Sequence, residues 1–225
     1  MPRQVMITGA SGALGASVVR RFIAGGDEVV AVVGSEARDL SSLGPPDRLA
    51  QRRADLASTA EVDGLFAEQA PAAVAHVAGG FRFGKLRDLS DEDWMYLMKA
   101  NLETTFRVAR ACARAFERAG GGVLVVVASP AALLGEAGMG AYAASKAGAL
   151  RLVESLAREM APYGGRANAV LPGTMDTPAN RRDMPGADTA KWATTQAVAE
   201  VIYYLTTSAA AGVNGAAVGV PGPGL

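Results

Sequence analysis

The sequence predicts one doubly wound α/β domain of the Rossmann type, a seven-stranded parallel sheet flanked by helices, over residues 1–225. Three observations predict it. Apolar runs of strand length alternate with longer segments of helical period, the signature of βαβ units whose sheet is buried on both faces. The first run leads straight into a glycine-rich turn. The 225 residues fit one full α/β core without requiring a second domain.

Taken in order, a strand at 5–8 feeds the turn Thr8-Gly9-Ala10-Ser11-Gly12-Ala13-Leu14-Gly15, which opens a helix at 14–24. Glycines at such a turn let the backbone approach a pyrophosphate, and the amides of the helix start face the anion. Gly9, Ser11, Gly12, Ala13, Leu14 and Gly15 are therefore candidate cofactor residues. A second strand at 28–33 ends at Gly34; a weaker third at 49–53 precedes a helix at 59–69. The fourth strand, 72–78, runs into His76-Val77-Ala78-Gly79-Gly80. Ser90 and Asp93 form a capping-box pattern at the head of a long helix at 91–118, which the glycines of 119–122 stop. A strongly apolar strand at 123–128 delivers Ser129, and a helix at 140–161 follows. A strand at 166–171 leads into Pro172-Gly173-Thr174-Met175-Asp176-Thr177. Residues 173–193 read as a long loop with a short helix, the form of a lid. A helix at 195–207 and a strand at 216–220 complete the sheet.

Composition narrows the partners. Twenty-two acidic residues balance 22 basic ones, so the basic excess of a nucleic-acid binder is missing. Apolar runs such as 123–128 fall far short of the roughly 20 residues that span a bilayer. The N-terminus enters a strand without a secretory-signal pattern, and a cytoplasmic protein is expected. Cys112 has no partner for an internal disulfide and reads as a packed side chain; His76 is the sole histidine, and no cluster has metal-ligand spacing.

Tyr142 and Lys146, four residues apart, project from one helix face. A phenol of pKa about 10 is a weak acid–base catalyst near neutrality, and an adjacent ammonium favours the phenolate. Ser129 stands at the carboxyl edge of its strand, where open parallel sheets place their chemistry.

These motifs resemble the short-chain dehydrogenase/reductase family. The first turn is similar to its TGxxxGxG pattern, with Ala13 at the middle glycine and Gly12 one residue earlier, as in the GALG turn of dihydropteridine reductases. The resemblance implies a tetrad of Asn101, Ser129, Tyr142 and Lys146. Tyr142 would exchange the proton, Ser129 orient the substrate oxygen, Lys146 also hold the nicotinamide ribose, and Asn101 complete a water-mediated relay. It also places Ala78 and Gly79 beside the adenosine ribose, Asp55 and Leu56 at the adenine, and Pro172, Gly173, Thr174 and Thr177 at the nicotinamide carboxamide. The stretch 176–192 resembles dihydropteridine reductases, which suggests that branch, while Ser129 is typical of carbonyl reducers.

A small-molecule carbonyl or alcohol is therefore the leading substrate class. A pterin or other C=N reductase and a non-turnover nucleotide sensor are the alternatives. Phe81, Phe83, Leu133 and Met184, with Met139, Met175 and Trp192, are candidates to line its pocket. Gly34, where an acid would select NAD(H), leaves room for a phosphate that Ser35 and Arg38 could bind; NADP(H) is favoured and NAD(H) remains open because of Glu36. The resemblance further implies a homodimer or homotetramer built on the two long helices.

Overall fold

The computed structural model describes residues 2–34, 38–67 and 70–223. Seven parallel strands lie in the order β3-β2-β1-β4-β5-β6-β7. They are β1 Gln4–Thr8, β2 Glu28–Val33, β3 Leu49–Arg53, β4 Ala73–His76, β5 Gly122–Val127, β6 Gly165–Pro172 and β7 Ala217–Val220. The order reverses between β1 and β4, so a crevice opens at their carboxyl ends.

The central strands β1, β5 and β6 bury residues on both faces, which is why their runs are apolar throughout rather than alternating. One face packs on α1 (Ala13–Ala24) and α7 (Thr195–Thr206) through Val18, Phe22, Val198 and Ile202. The other packs on α2 (Thr59–Leu65), α4 (Thr104–Ala119) and α5 (Gly140–Met160) through Val62, Cys112, Phe116, Leu150 and Val153. Full burial of side chains such as Phe22 and Phe116 contributes roughly 1.5–3 kcal/mol each. β3 is the exposed edge, consistent with its weak sequence signal.

The main departure from expectation is the helix at 91–118, which is three pieces. α3 (Asp91–Leu97) begins as the capping pattern requires, with Ser90 Oγ accepting from Asp93 N at 3.1 Å. A π-helical turn, Met98–Glu103, follows, and α4 then runs to Gly120, whose φ of 72° ends it. The break has a cause outside the helix: Asn101, buried within the π turn, is bonded to the backbone of Gly80. α2 is also shorter than expected, ending at Leu65 with Phe66 turning back onto Asp63 and Gly64; the end of the expected helix, residues 68 and 69, lies outside the described residues. β4 stops at His76, and Val77 to Gly80 form the loop that Asn101 grips. The region 173–193 holds α6 (Pro178–Asp183) and a short turn of 3-10 helix at Thr189–Lys191, closed at its base by a bridge between Met175 and Ala193.

Candidate active site

The glycine turn after β1 is built for close backbone approach. Gly9 has φ +68°, and a Cβ there would lie 2.7 Å from the Ala78 amide nitrogen; at Gly15 it would run into the Gly9 carbonyl oxygen. Gly12 caps α1 without any side-chain hydrogen bond, whereas hydroxyls of Ser58, Ser90, Thr177 and Thr194 cap α2, α3, α6 and α7. The first amides of α1 thus remain without a protein cap, the arrangement that receives a phosphate. Ser11 is half-buried and Ala13 exposed along this turn, while Leu14 turns into the core.

At the end of β2, a Cβ on Gly34 would meet none of the described residues within 4 Å. Arg38 is exposed, and its carbonyl accepts from Gln51. Ser35 and Glu36 lie outside the described residues. Asp55 is exposed and closes a turn by accepting from Ala57 N at 2.9 Å; Leu56 packs against the core. At the other end, Pro172 and Gly173 extend β6 along β7, and Thr174 accepts from Ala193. Thr177 accepts from Asn180 N at 3.2 Å as the cap of α6, which leaves its own hydroxyl proton to donate.

Between these ends the four polar residues converge. Ser129 caps a 3-10 turn, accepting from Ala131 N at 3.2 Å, and its side chain lies near enough to the Tyr142 hydroxyl to favour the phenolate. Burial holds the Tyr142 phenol above its ordinary value of 10.0, and the nearby Ser129 draws it partly back. Lys146, fully buried, donates to Val127 O at 2.9 Å; burial lowers its ammonium to about 8. Lys146 Nζ sits 6.0 Å from the centroid of the Tyr142 ring and is directed at the β5 backbone. Asn101 Oδ1 accepts from Gly80 N and its Nδ2 donates to Gly80 O and Ser145 Oγ, all within 2.9–3.0 Å. A Cβ at Gly79 would press on Asn101 Oδ1 and Lys146 Nζ, so this loop and the two side chains form one packed unit.

Ser145 belongs to that unit and sequence reasoning passed over it. Its hydroxyl donates to Tyr142 O at 2.7 Å while accepting from Asn101, tying α5 to the π turn. A buried polar residue one turn after Tyr142 was the available signal. Phe81 meets the Tyr142 ring edge-on, with centroids 4.9 Å apart, and Phe83, Leu133 and Met184 are exposed on the surrounding loops. Met139 is half-buried. Met175 is half-buried against the core and Trp192 is buried. Cys112 is fully buried and its thiol pushed up by burial. A cavity of about 370 Å3 lined by Glu154, Ala157, Arg158, Ala161, Asn214 and Gly215 lies at the far end of α5, apart from these groups.

Among the described residues no helix is long and apolar enough to cross a membrane, and no group of ligating side chains could hold a metal. Residues 3–187 match the short chain dehydrogenase family. The chain is 31% identical to (3R)-3-hydroxyacyl-CoA dehydrogenase of Mus musculus over 245 residues, covering 96% of this chain and 94% of the relative. It is also 31% identical to 2-(R)-hydroxypropyl-CoM dehydrogenase of Xanthobacter autotrophicus over 245 residues, covering 99% and 98%. The crystal structure of an oxidoreductase of the short chain dehydrogenase/reductase family from Burkholderia thailandensis superimposes with a TM-score of 0.88 at 30% identity, covering 98% of this chain and 91% of that one.

Proposed function

The chain belongs to the short-chain dehydrogenase family, whose members are oxidoreductases acting on CH–OH or C=O groups, and from that premise we propose its reaction. It moves hydride between a nicotinamide dinucleotide and a small carbonyl or alcohol, with Asn101, Ser129, Tyr142 and Lys146 handling the proton. The carrying observation is the hydroxyl pair of Ser129 and Tyr142 at the carboxyl edge of the sheet, with Lys146 one helical turn away.

The glycine turn and the uncapped start of α1 fit the dinucleotide's pyrophosphate, and Thr177 retains a donor for its carboxamide. When bound, the nicotinamide supplies the hydride in reduction or accepts it in oxidation. The rest falls to the chain. A phenol held above 10.0 is protonated at neutral pH, so Tyr142 enters as the acid and gives its proton to the substrate oxygen in the reductive direction. Ser129 orients that oxygen. Lys146, titrating near 8, returns a proton toward the phenolate, and Asn101 keeps the loop at Gly80 in place beside it. NADP(H) is the preferred form, supported by Gly34 in place of an acid and by the nearby Arg38. A cytoplasmic homodimer or homotetramer remains the expected state.

A second reading, reduction of a C=N bond such as that of a quinonoid dihydropterin, draws on the resemblance of 176–192 to dihydropteridine reductases. Steady-state rates on a panel of ketones and on quinonoid dihydropterin, with each reduced nicotinamide, separate the two. Turnover of ketones with NADPH is expected. Cofactor binding without oxidation by any carbonyl or imine would replace both with nucleotide sensing.

A further inference from the structure

The sole histidine is buried beside the proton-handling group, and the function above gives it no task. His76 ends β4, in register with Thr8 of β1 and Val126 of β5, and is 1% exposed. It lies on the sheet face of Met6, Val74 and Val126, the face covered by α4 and α5. Thr8 Oγ1 is 2.8 Å from Nδ1, while Nε2 is buried without a hydrogen-bond partner. The carbonyl that receives Lys146 belongs to Val127, one residue beyond the register partner of His76, which brings the ammonium near enough for its charge to act on the imidazole. Burial and the lysine charge hold the imidazole pKa at about 3, so the ring is neutral under working conditions.

A neutral imidazole has one N–H and one lone pair. Thr8 engages one nitrogen. The other, at this depth, needs a water held between polar groups. Lys146 has three donors, of which Val127 takes one. We propose that His76 is a positioning residue for Lys146: pinned by Thr8 through Nδ1, it holds with Nε2 a buried water that accepts a hydrogen bond from the ammonium. The tautomer follows. Nδ1 carries the proton and donates to Thr8 Oγ1, and Nε2 accepts from the water. The inference rests on Lys146 belonging to the proton-handling group proposed above, but its test needs no turnover.

Lysine-selective carbon labelling lets Lys146 be titrated in the free protein, since Lys85, Lys99 and Lys191 are exposed. Burial alone sets its midpoint near 8, with no contribution from a carboxylate. His76→Asn keeps a group at the Nδ1 position and removes Nε2; His76→Gln keeps one at Nε2 and gives up the contact with Thr8. The Asn variant is expected to lower the Lys146 midpoint by about one pH unit, the scale of one charge-assisted hydrogen bond. The Gln variant should stay near the native value. An unchanged or raised midpoint in the Asn variant overturns the proposal, as does an equal fall in both, which would trace the effect to Thr8. If the Asn variant does not fold, the Gln variant decides: a native midpoint supports the proposal and a fall overturns it. An unexpected substrate preference would leave this titration untouched, so failure of the functional reading is seen separately.

Discussion

Lys146 turns its ammonium onto the carbonyl oxygen of Val127, 2.9 Å away, while Tyr142, on the same helix face, has its hydroxyl near Ser129. The two residues expected to act as a pair are each turned toward β5 or its end. The strand therefore holds the lysine charge, and Ser129, just past its end, lies near the phenol.

Tyr142→Phe is expected to cut turnover by about 10²–10⁴-fold, the range for a lost proton donor, because one hydroxyl is deleted and the ring against Phe81 kept. Dinucleotide affinity, read by fluorescence titration, should stay within a few-fold. Lys146→Met should reduce both. Near-native turnover of the Phe variant across pH would remove Tyr142 from its role.

Ser129→Ala takes away the one interaction that lowers the Tyr142 pKa, leaving burial to raise it further. In the alcohol-oxidising direction Tyr142 must be deprotonated, so the acid limb of the kcat profile should move to higher pH. A limb that stays in place would mean that Ser129 does not tune the phenol.

Met184→Ser should raise KM for the substrate and leave dinucleotide affinity nearly unchanged, because Met184 is exposed beyond α6 while the base of the loop is held at Met175 and Ala193. A parallel loss of cofactor binding would argue that the loop serves the dinucleotide instead.

Gly34→Asp is expected to swing kcat/KM toward NADH. A Cβ at that position meets none of the described residues within 4 Å, and the carboxylate can repel a 2′-phosphate. Native preference for NADH, or no swing in the variant, contradicts the assignment of NADP(H).

Acid should destabilise the fold through His76. The imidazole has a folded pKa of about 3 against 6.5 when unfolded, so below 6.5 the unfolded chain takes up a proton that the folded one refuses. Stability then falls with decreasing pH by up to about 1.4 kcal/mol per unit, a loss absent in His76→Gln. Urea unfolding between pH 6.5 and 5 reads it before most carboxylates titrate. A flat native profile would show that the ring is not buried neutral.

Much of this architecture was legible along the chain. The strand at 28–33 has the bounds expected of it, because its apolar run is cut off by Gly34, and the weaker strand at 49–53 also has the bounds expected. The positions of Ser129, Tyr142 and Lys146 at one edge follow from the strand, turn and helix that carry them. What could not be read depends on distant partners. The π turn exists because Asn101 answers Gly80, 21 residues earlier, while helical period runs unbroken through the segment. Ser145 gains its role from the same Asn101, and the direction of Lys146 is set by a backbone carbonyl, which no side-chain pattern encodes. The inward packing of Trp192 and Met175 likewise depends on neighbours that residue type alone does not encode.

The depth of Cys112 has a practical side. It is the chain's only thiol, fully enclosed between helix and sheet and held in its protonated form. The native protein should therefore be silent toward maleimides, and a cysteine introduced at the exposed Arg182 would take up a fluorophore alone, without prior removal of a native residue. The emission of that dye would report in real time whether α6 moves when dinucleotide and substrate arrive.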